Sequence, residues 1–225
     1  MVSLAPLLFL GDSHSRYFRH AAKSNRFPNR EVHACEVHAA TAAGLVNMDS
    51  FTRAAQTFKD FLSDKPVNST PVFHLGEVDC GILIWLRSAK NSTSVESEME
   101  RSIEAYFHFL DELTNIGFDD IVVTGATLPT LNDTDHLGAV ASERRKKVDA
   151  TQRARTDLTL RFNERLEQEA NLRGFQFVDV KDIVLDPVTD LVHTSFRNKN
   201  PADHHMDTRK AADVWAKRIN ETLAD

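Results

Sequence analysis

One short stretch decides the fold of this chain: Leu7-Leu8-Phe9-Leu10-Gly11-Asp12-Ser13. Four consecutive apolar residues that end at a glycine are typical of a buried strand in a parallel sheet. Gly11 permits the sharp exit that such a strand needs, and Ser13 then stands where a helix can begin. Ligands of open α/β sheets bind beyond the carboxyl ends of the strands, so we expect Ser13 to face a binding crevice.

Two interpretations of Ser13 remain open at this point. A serine at the end of a strand can act as a nucleophile, provided that a neighbouring base removes its proton. Alternatively, Asp12 or Ser13 only caps the helix that follows, because short polar side chains are common at helix N-termini.

The other end of the chain supplies a candidate base. Asp203-His204-His205 precedes a stretch whose apolar residues recur at helical spacing, namely Ala211, Val214, Trp215, Ile219 and Leu223. An imidazole from this loop could take the proton of Ser13, and a carboxylate could hold that imidazole in the right tautomer. The alternative is a pair of solvated loop histidines.

Strands and helices alternate along the rest of the chain. The apolar patterns predict further strands at 31–37, 71–75, 121–124 and 175–178, and helices at about 15–24, 51–62, 95–113 and 143–172. This alternation predicts a parallel sheet with right-handed crossovers, and therefore an α/β protein. Two long irregular stretches, 127–142 and 183–203, each follow a strand and are predicted to wall the substrate pocket.

Composition limits the range of functions. The 225 residues suit one domain spanning 1–225, and the formal net charge of −6 argues against a nucleic-acid-binding protein. The basic run 144–147 is interpreted as a solvated helix start. Cys35 and Cys80 set no disulfide framework and are expected to be free thiols. We expect a soluble cytoplasmic protein with no membrane partner, since neither a signal peptide nor a long apolar segment is evident.

Four further residues are candidates for contact with a substrate: His14, Glu77, Arg155 and His204. Arg155 interrupts the apolar stripe of its predicted helix, so it either reaches the pocket or pairs with a buried carboxylate, for which Glu77 is a candidate. His74 lies within a predicted buried strand and is interpreted as a hydrogen-bonded core histidine.

These motifs, in this order, resemble those of the SGNH/GDSL hydrolase superfamily. The first block is Gly11-Asp12-Ser13, the second contains Gly44, the third is Gly76-Glu77-Val78-Asp79, and the last is the Asp203/His205 block. The resemblance implies a three-layer, flavodoxin-like domain, whose parallel sheet of about five strands has the order 2-1-3-4-5 and carries helices on both faces.

The same resemblance implies roles for individual residues. Ser13 is the nucleophile, His205 the base and Asp203 the acid that orients it, with His204 as an alternative base. The amides of Ser13 and Gly44 form the oxyanion hole. In the family's usual third block, Gly-x-Asn-Asp, the asparagine side chain is a further donor.

Two departures from the family pattern stand out. Val78 occupies the asparagine position and has no side-chain donor, and Asp79 could donate to an oxyanion only if it were protonated. We therefore expect Asp79 to lie near the oxyanion pocket but to bind other groups, either amides after Gly76 or the Ser13 amide. Asp203 precedes His205 by two residues instead of three. A bacterial branch of the family is similar in its Gly-Glu-Val-Asp-Cys-Gly and Asp-His-His blocks.

The leading functional prediction is a serine-dependent ester hydrolase that acts on a small or carbohydrate-linked ester. The alternatives are an O-acyltransferase on a glycan and a catalytically weak protein that binds a glycan or sugar nucleotide. A manganese-dependent phosphoesterase is a further, less favoured alternative. Its family also carries an Asp-His-His triplet, but there the triplet lies mid-domain after a strand, whereas here it precedes the last predicted helix. The prediction of a serine-dependent hydrolase requires no metal and no cofactor, and the sequence leaves the oligomeric state open.

Overall fold

The computed structural model describes residues 4–47, 49–134 and 142–224. Its centre is a five-stranded parallel sheet in the order β2-β1-β3-β4-β5. The strands are β1 (Leu7–Gly11), β2 (Val32–Glu36), β3 (Thr70–His74), β4 (Val122–Thr124) and β5 (Gln176–Val178). The predicted fold class and strand order are confirmed.

The helices of the described residues surround this sheet. They are α1 (Arg16–Lys23), α2 (Ala54–Leu62), α3 (Ile84–Asn91), α4 (Val95–Thr114), α5 (Ser142–Arg145), α6 (Gln152–Leu172), α7 (Lys181–Val184) and α8 (Thr208–Thr222). Among these residues, no helix is both long enough and apolar enough to cross a membrane.

Side chains of β1 alternate between two apolar clusters, one on each face of the sheet. Leu8 and Leu10 pack in the cluster that contains buried residues of α2, α3, α4 and α6. Leu7 and Phe9 pack in the other cluster, with α1, α7 and α8. Because both faces of β1 are buried, the strand has to be apolar at every position, and this explains the uninterrupted run in the sequence.

One predicted helix is wrong. The segment 143–172 forms two helices, α5 and α6, that are separated at 146–151. Thr151 has an extended backbone, and its Oγ1 accepts a hydrogen bond from the Ala154 amide at 3.1 Å, so it caps a new helix. The Gln152 amide donates to Asp133 Oδ1 at 2.6 Å instead of to a preceding helical turn.

A second difference follows β3. The sequence analysis predicted no element between the third strand and the helix that begins near Val95. The structure has a π-helical turn at Asp79–Leu83 that leads into α3. Its apolar side chains, such as Cys80 and Ile84, pack in the same cluster as α4, so tertiary contacts stabilise a segment whose own periodicity is weak.

Candidate active site

Gly11 brings β1 and β3 close together where Ser13 leaves the sheet. A Cβ atom at Gly11 would lie 2.2 Å from the His74 carbonyl oxygen and 2.3 Å from Ser15 Oγ, so no larger residue fits. The Asp12 amide donates to that carbonyl at 3.3 Å, which continues the pairing one residue beyond the strand. Ser13 is thereby placed at the carboxyl edge of the sheet.

Asp12 takes the capping role, and this leaves the Ser13 hydroxyl available. Oδ1 of Asp12 accepts from the His14 amide at 2.8 Å and caps the 3-10 turn Ser13–Ser15. Oδ1 also lies 3.0 Å from Nδ1 of the His14 ring. Asp12 and His14 are both fully buried.

The structure brings Ser13, His205 and Asp203 together across 192 positions of sequence. His205 Nε2 lies 2.9 Å from Ser13 Oγ, and His205 Nδ1 lies 2.6 Å from Asp203 Oδ1. Oδ1 of Asp203 also accepts from the His205 amide at 3.0 Å. The two-residue spacing therefore lets one carboxylate oxygen hold both the backbone and the ring of His205.

Neighbouring elements hold this loop in place. The Met206 amide donates to Tyr17 Oη of α1 at 2.9 Å, and Thr130 Oγ1 donates to the His204 carbonyl at 2.7 Å. Asn198 Nδ2 donates to the second oxygen of Asp203 at 3.1 Å. Thr130 and Asn198 belong to the two irregular stretches that were predicted to border the site, so both stretches contact the Asp-His-His loop.

The electrostatics of the site favour a neutral His205 imidazole beside an ionised Asp203 carboxylate. Burial, together with the positive charges that His14 and His204 can carry, lowers the pKa of His205 to about 3. Burial works against ionisation of Asp203, but hydrogen bonds from the His205 amide and ring hold its pKa below the ordinary value. At neutral pH, His205 is thus neutral and able to accept a proton.

His14 and His204 lie beside His205 without a hydrogen bond to Ser13. The ring centroids of His204 and His205 are 4.0 Å apart, and those of His14 and His205 are 4.5 Å apart. Burial lowers the pKa of His204 to about 4. Burial also opposes the charge on His14, but the carboxylates of Asp12 and Glu77 outweigh it and raise the pKa of His14.

Glu77 pairs with Arg145, not with Arg155 as the sequence suggested. Nη2 of Arg145 lies 2.7 Å from Glu77 Oε1 and 3.0 Å from Oε2, and both side chains are buried. Arg155 instead donates to the Leu131 carbonyl at 3.0 Å and lies 3.8 Å from Asp133. The interpretation of the basic run as solvated is wrong for Arg145, because α5 ends beside the buried Glu77.

Sequence reasoning missed Arg145 for a physical reason. Four adjacent basic residues carry no pattern that separates a buried member from exposed ones, and the partner carboxylate is 68 positions away. The one usable signal was Glu77 itself, since a glutamate directly after a buried strand needs a counter-charge.

The Gly44 amide is directed away from a role in an oxyanion hole. It donates to Thr41 Oγ1 at 3.0 Å and closes a 3-10 turn, Ala42–Gly44, by a second bond to the Thr41 carbonyl at 3.1 Å. The expectation for Gly44 is therefore corrected: Thr41 caps this turn and occupies the amide.

Asp79 contacts the same turn, and neither of its expected partners. Its Oδ2 accepts from the Ala42 amide at 2.7 Å, and its Oδ1 accepts from the Ala43 amide at 3.2 Å. Burial raises the pKa of Asp79 to about 6, although these two amides act in the opposite direction. Asp79 thus anchors the loop after β2, and its oxygens are occupied by that loop.

Arg145 also lines a cavity of about 290 Å³. It is lined largely by charged and polar residues, including Asn132, Asp133, Arg145, Asp149, Thr151 and Arg155. Because Arg145 lines the cavity and pairs with Glu77, the polar cavity borders the candidate site through this pair.

His74 is a core residue, as predicted. Its ring nitrogens lie 2.6 Å from Thr124 Oγ1 and 3.0 Å from Thr127 Oγ1.

Comparison with known proteins finds solved structures that share the fold of this chain. No protein-family model matches the chain, and no curated protein matches it either. Solved structures do. A GDSL-like lipase from Bacteroides thetaiotaomicron aligns over 97% of this chain and 87% of its own, with a TM-score of 0.60 and 14% identity.

Two further structures give the same result. A candidate arylesterase from Agrobacterium tumefaciens aligns over 98% of this chain and 100% of its own, with a TM-score of 0.61 and 12% identity. An acetyl xylan esterase aligns over 97% and 99%, respectively, with a TM-score of 0.58 and 11% identity. The chain thus has the fold of the SGNH/GDSL hydrolases.

Proposed function

We propose that this protein is a serine-dependent ester hydrolase that acts on a small or carbohydrate-linked ester. The observation that carries the proposal is the continuous chain of contacts from Ser13 Oγ to His205 Nε2 and from His205 Nδ1 to Asp203. A hydroxyl with a neutral imidazole on one side, and a carboxylate behind that imidazole, is the arrangement that activates a serine.

The reaction follows from these contacts. Ser13 Oγ forms a bond to the acyl carbon while its proton passes to His205 Nε2. The ester C–O bond then breaks, and the alcohol leaves with the proton from His205. Water repeats the sequence: His205 takes a proton from water, the hydroxide adds to the acyl carbon, and the bond to Ser13 Oγ breaks as the serine recovers its proton.

The oxyanion requires donors other than Gly44 and Asp79. Within the described ranges no hydrogen bond engages the Ser13 amide, so this amide serves as the first donor. Val78 has no side-chain donor, and the Gly44 amide is bonded within its own turn, so the hole lacks donors that the family's usual pattern supplies. Loss of one such donor typically reduces kcat about 100–1000-fold, so we expect slow turnover of simple esters.

The cavity beside Arg145 favours a polar substrate over a lipid. Its volume of about 290 Å³ is at the lower end for small-molecule pockets, and its lining includes Asp133 and the two arginines Arg145 and Arg155. Such a lining suits the hydroxyls of a sugar better than an acyl chain. If a sugar hydroxyl replaces water as acceptor, the same residues perform O-acyl transfer, which is the second candidate function.

Active-site labelling tests the proposal. A fluorophosphonate probe should add once to the protein, and peptide mapping should place the adduct on Ser13. Ser13→Ala and His205→Gln should abolish labelling. Ser15→Ala is the matched control, because Ser15 lies in the same turn and is also buried, and it should label at the wild-type rate. A wild-type protein that stays unlabelled at millimolar probe would refute an activated serine.

The two alternatives have distinct outcomes in the same experiment. An O-acyltransferase labels on Ser13 but releases product from an acyl donor much faster when a glycan acceptor is added. A glycan-binding protein without catalysis is not labelled, and yet it binds the sugar in a direct titration.

A further inference from the structure

Three imidazoles gather beside Ser13, although the serine chemistry uses only one of them. The candidate ligand nitrogens of His14, His204 and His205 all lie within 4.8 Å of one another. The chain brings two adjacent loop histidines against a histidine that is 190 positions earlier, so local sequence does not explain the cluster.

His14 is the member that most needs an explanation. Its Nδ1 is held by Asp12, and its Nε2 is buried with no hydrogen-bond partner among the described residues. Oδ2 of Asp12 is likewise buried and unpartnered within those residues. Unpaired buried polar atoms of this kind are rare in proteins, because each loses its hydration without compensation. The ring centroid of His14 lies 4.5 Å from that of His205 and 5.4 Å from that of His204.

We propose that His14, His204 and His205 bind a divalent metal ion of the zinc class, and that an ion bound there inhibits the serine site. The first half stands on the cluster alone; the second half rests on the proposed function. The ion is not required by the ester chemistry: it competes with that chemistry for His205.

The ligand set and its surroundings match a zinc site. Imidazole nitrogen is a preferred ligand of zinc, and three histidines plus one exchangeable position is a known tetrahedral arrangement. Metal-binding histidines commonly pass their second nitrogen to a carboxylate. Here Asp12 holds Nδ1 of His14 at 3.0 Å, and Asp203 holds Nδ1 of His205 at 2.6 Å. In both rings Nε2 is therefore the candidate ligand nitrogen.

Binding requires one side chain to move. Zinc–nitrogen distances of about 2.0–2.1 Å correspond to nitrogen–nitrogen separations of about 3.4 Å in a tetrahedron, which is shorter than the present spacing. His204 is half-buried, and its ring makes no hydrogen bond to the described residues, so it is free to turn toward His14. His14 and His205 are held by their carboxylates and define where the ion sits.

The charge around the cluster also favours a cation. Asp12 and Asp203 carry negative charge directly behind two of the three rings. The guanidinium of Arg145 acts on His14 and His204 as well, but Glu77 pairs with it at 2.7 Å and neutralises it. Arg16 also acts on Asp203 and His205, so the carboxylate that most favours a cation is that of Asp12, directly behind His14.

Inhibition follows from the shared nitrogen. Nε2 of His205 lies 2.9 Å from Ser13 Oγ, and it is the nitrogen that must accept the serine proton. Once Nε2 donates its lone pair to a metal ion, it cannot accept that proton. The serine then stays a neutral hydroxyl, whatever the ester.

Zinc titration tests the site independently of activity. Competition between the protein and a chromophoric chelator for Zn²⁺ should show one tight equivalent in the wild type and in Ser13→Ala. His204→Gln and His14→Gln should each weaken binding at least about tenfold, since even changes behind the ligands cost 10–100-fold. His108→Gln is the control, because that side chain is exposed and pairs with Glu112 on α4, which packs on the opposite face of the sheet from α1 and α8, and it should bind as the wild type does.

Three outcomes would overturn the proposal. Absence of stoichiometric Zn²⁺ binding to the wild type refutes the site. Binding that is undiminished in His204→Gln refutes it too, because the half-buried position 204 should tolerate the change even if His14→Gln fails to fold. Binding without any slowing of fluorophosphonate labelling refutes the inhibition. In the expected result, Zn²⁺ slows labelling of Ser13, EDTA restores it, and His204→Gln labels equally well with and without Zn²⁺. A wild-type protein that binds Zn²⁺ but never labels refutes the proposed function and leaves the metal site intact.

Discussion

The buried pair of Glu77 and Arg145 makes the sharpest stability prediction. Arg145→Met keeps most of the length of the side chain and removes its charge. Glu77, which is 3% exposed, then loses both contacts of 2.7 and 3.0 Å and stays buried without a counter-charge. Breaking a buried pair from one side typically costs about 3–5 kcal/mol. At an m-value of about 3 kcal/mol/M, the urea midpoint should fall by about 1–1.7 M.

The pH dependence of this loss provides a second readout. Burial opposes ionisation of Glu77, but Arg145 outweighs it and holds the pKa of the carboxyl well below its ordinary value. The pair's stabilisation is therefore complete above the unfolded pKa and is lost as the pH falls through the folded value. In Arg145→Met, the largest charge that opposes the effect of burial is gone, so we expect the pKa of Glu77 to rise and acid to neutralise the carboxyl. The difference from the wild type should shrink between about pH 7 and pH 4.

A double-mutant cycle separates the pair from general disruption. Glu77→Gln combined with Arg145→Met removes both charges, and it should recover most of the loss of Arg145→Met alone. Arg161→Met is the matched control, because Arg161 pairs with Glu96 on the surface, and it should change the unfolding free energy by less than about 1 kcal/mol. An Arg145→Met variant that loses less than about 1 kcal/mol, with no dependence on pH, would refute the buried pair.

Three further predictions concern the candidate site. Burial holds the pKa of His205 below the usual 6.5 and keeps the base neutral, so kcat/KM for an uncharged ester should stay level down to about pH 5. A kcat/KM that falls to half its maximum near pH 6.5 would contradict this. The folded pKa of Asp79, about 6, lies above the unfolded value, so the unfolding free energy of the wild type should fall by about 1 kcal/mol as the pH rises from about 5 to 8, and Asp79→Asn should remove this fall. Urea unfolding at the two pH values measures it, and the same change in unfolding free energy in both proteins would count against it. Val78→Asn, which restores the family's usual third block, should raise kcat on p-nitrophenyl esters, and a lower kcat in a folded variant would show that the asparagine position lies elsewhere.

Local sequence determined the sheet of this protein. The run Leu7–Leu10 is apolar at every position because both faces of β1 are buried, and such a run has few structural alternatives. Gly11 follows from the close approach of the His74 carbonyl, which excludes a side chain. The motif order then placed Ser13 and the Asp203/His205 block at one edge, because parallel strands end on the same side.

Only the tertiary structure decided the partners of the buried charges and of the loop amides. The sequence suggested Arg155 as the partner of Glu77, whereas the structure has Arg145. The choice depends on the break between α5 and α6, where Thr151 caps a new helix. In the same way, Asp79 contacts the amides of Ala42 and Ala43 instead of its sequence neighbours, because the loop after β2 folds across the end of β3. Sequence periodicity reports which face of an element is apolar, whereas hydrogen-bond partners depend on distances between segments far apart in the chain. The local sequence therefore set the strands and the serine turn, and long-range packing selected the charges and amides that surround them.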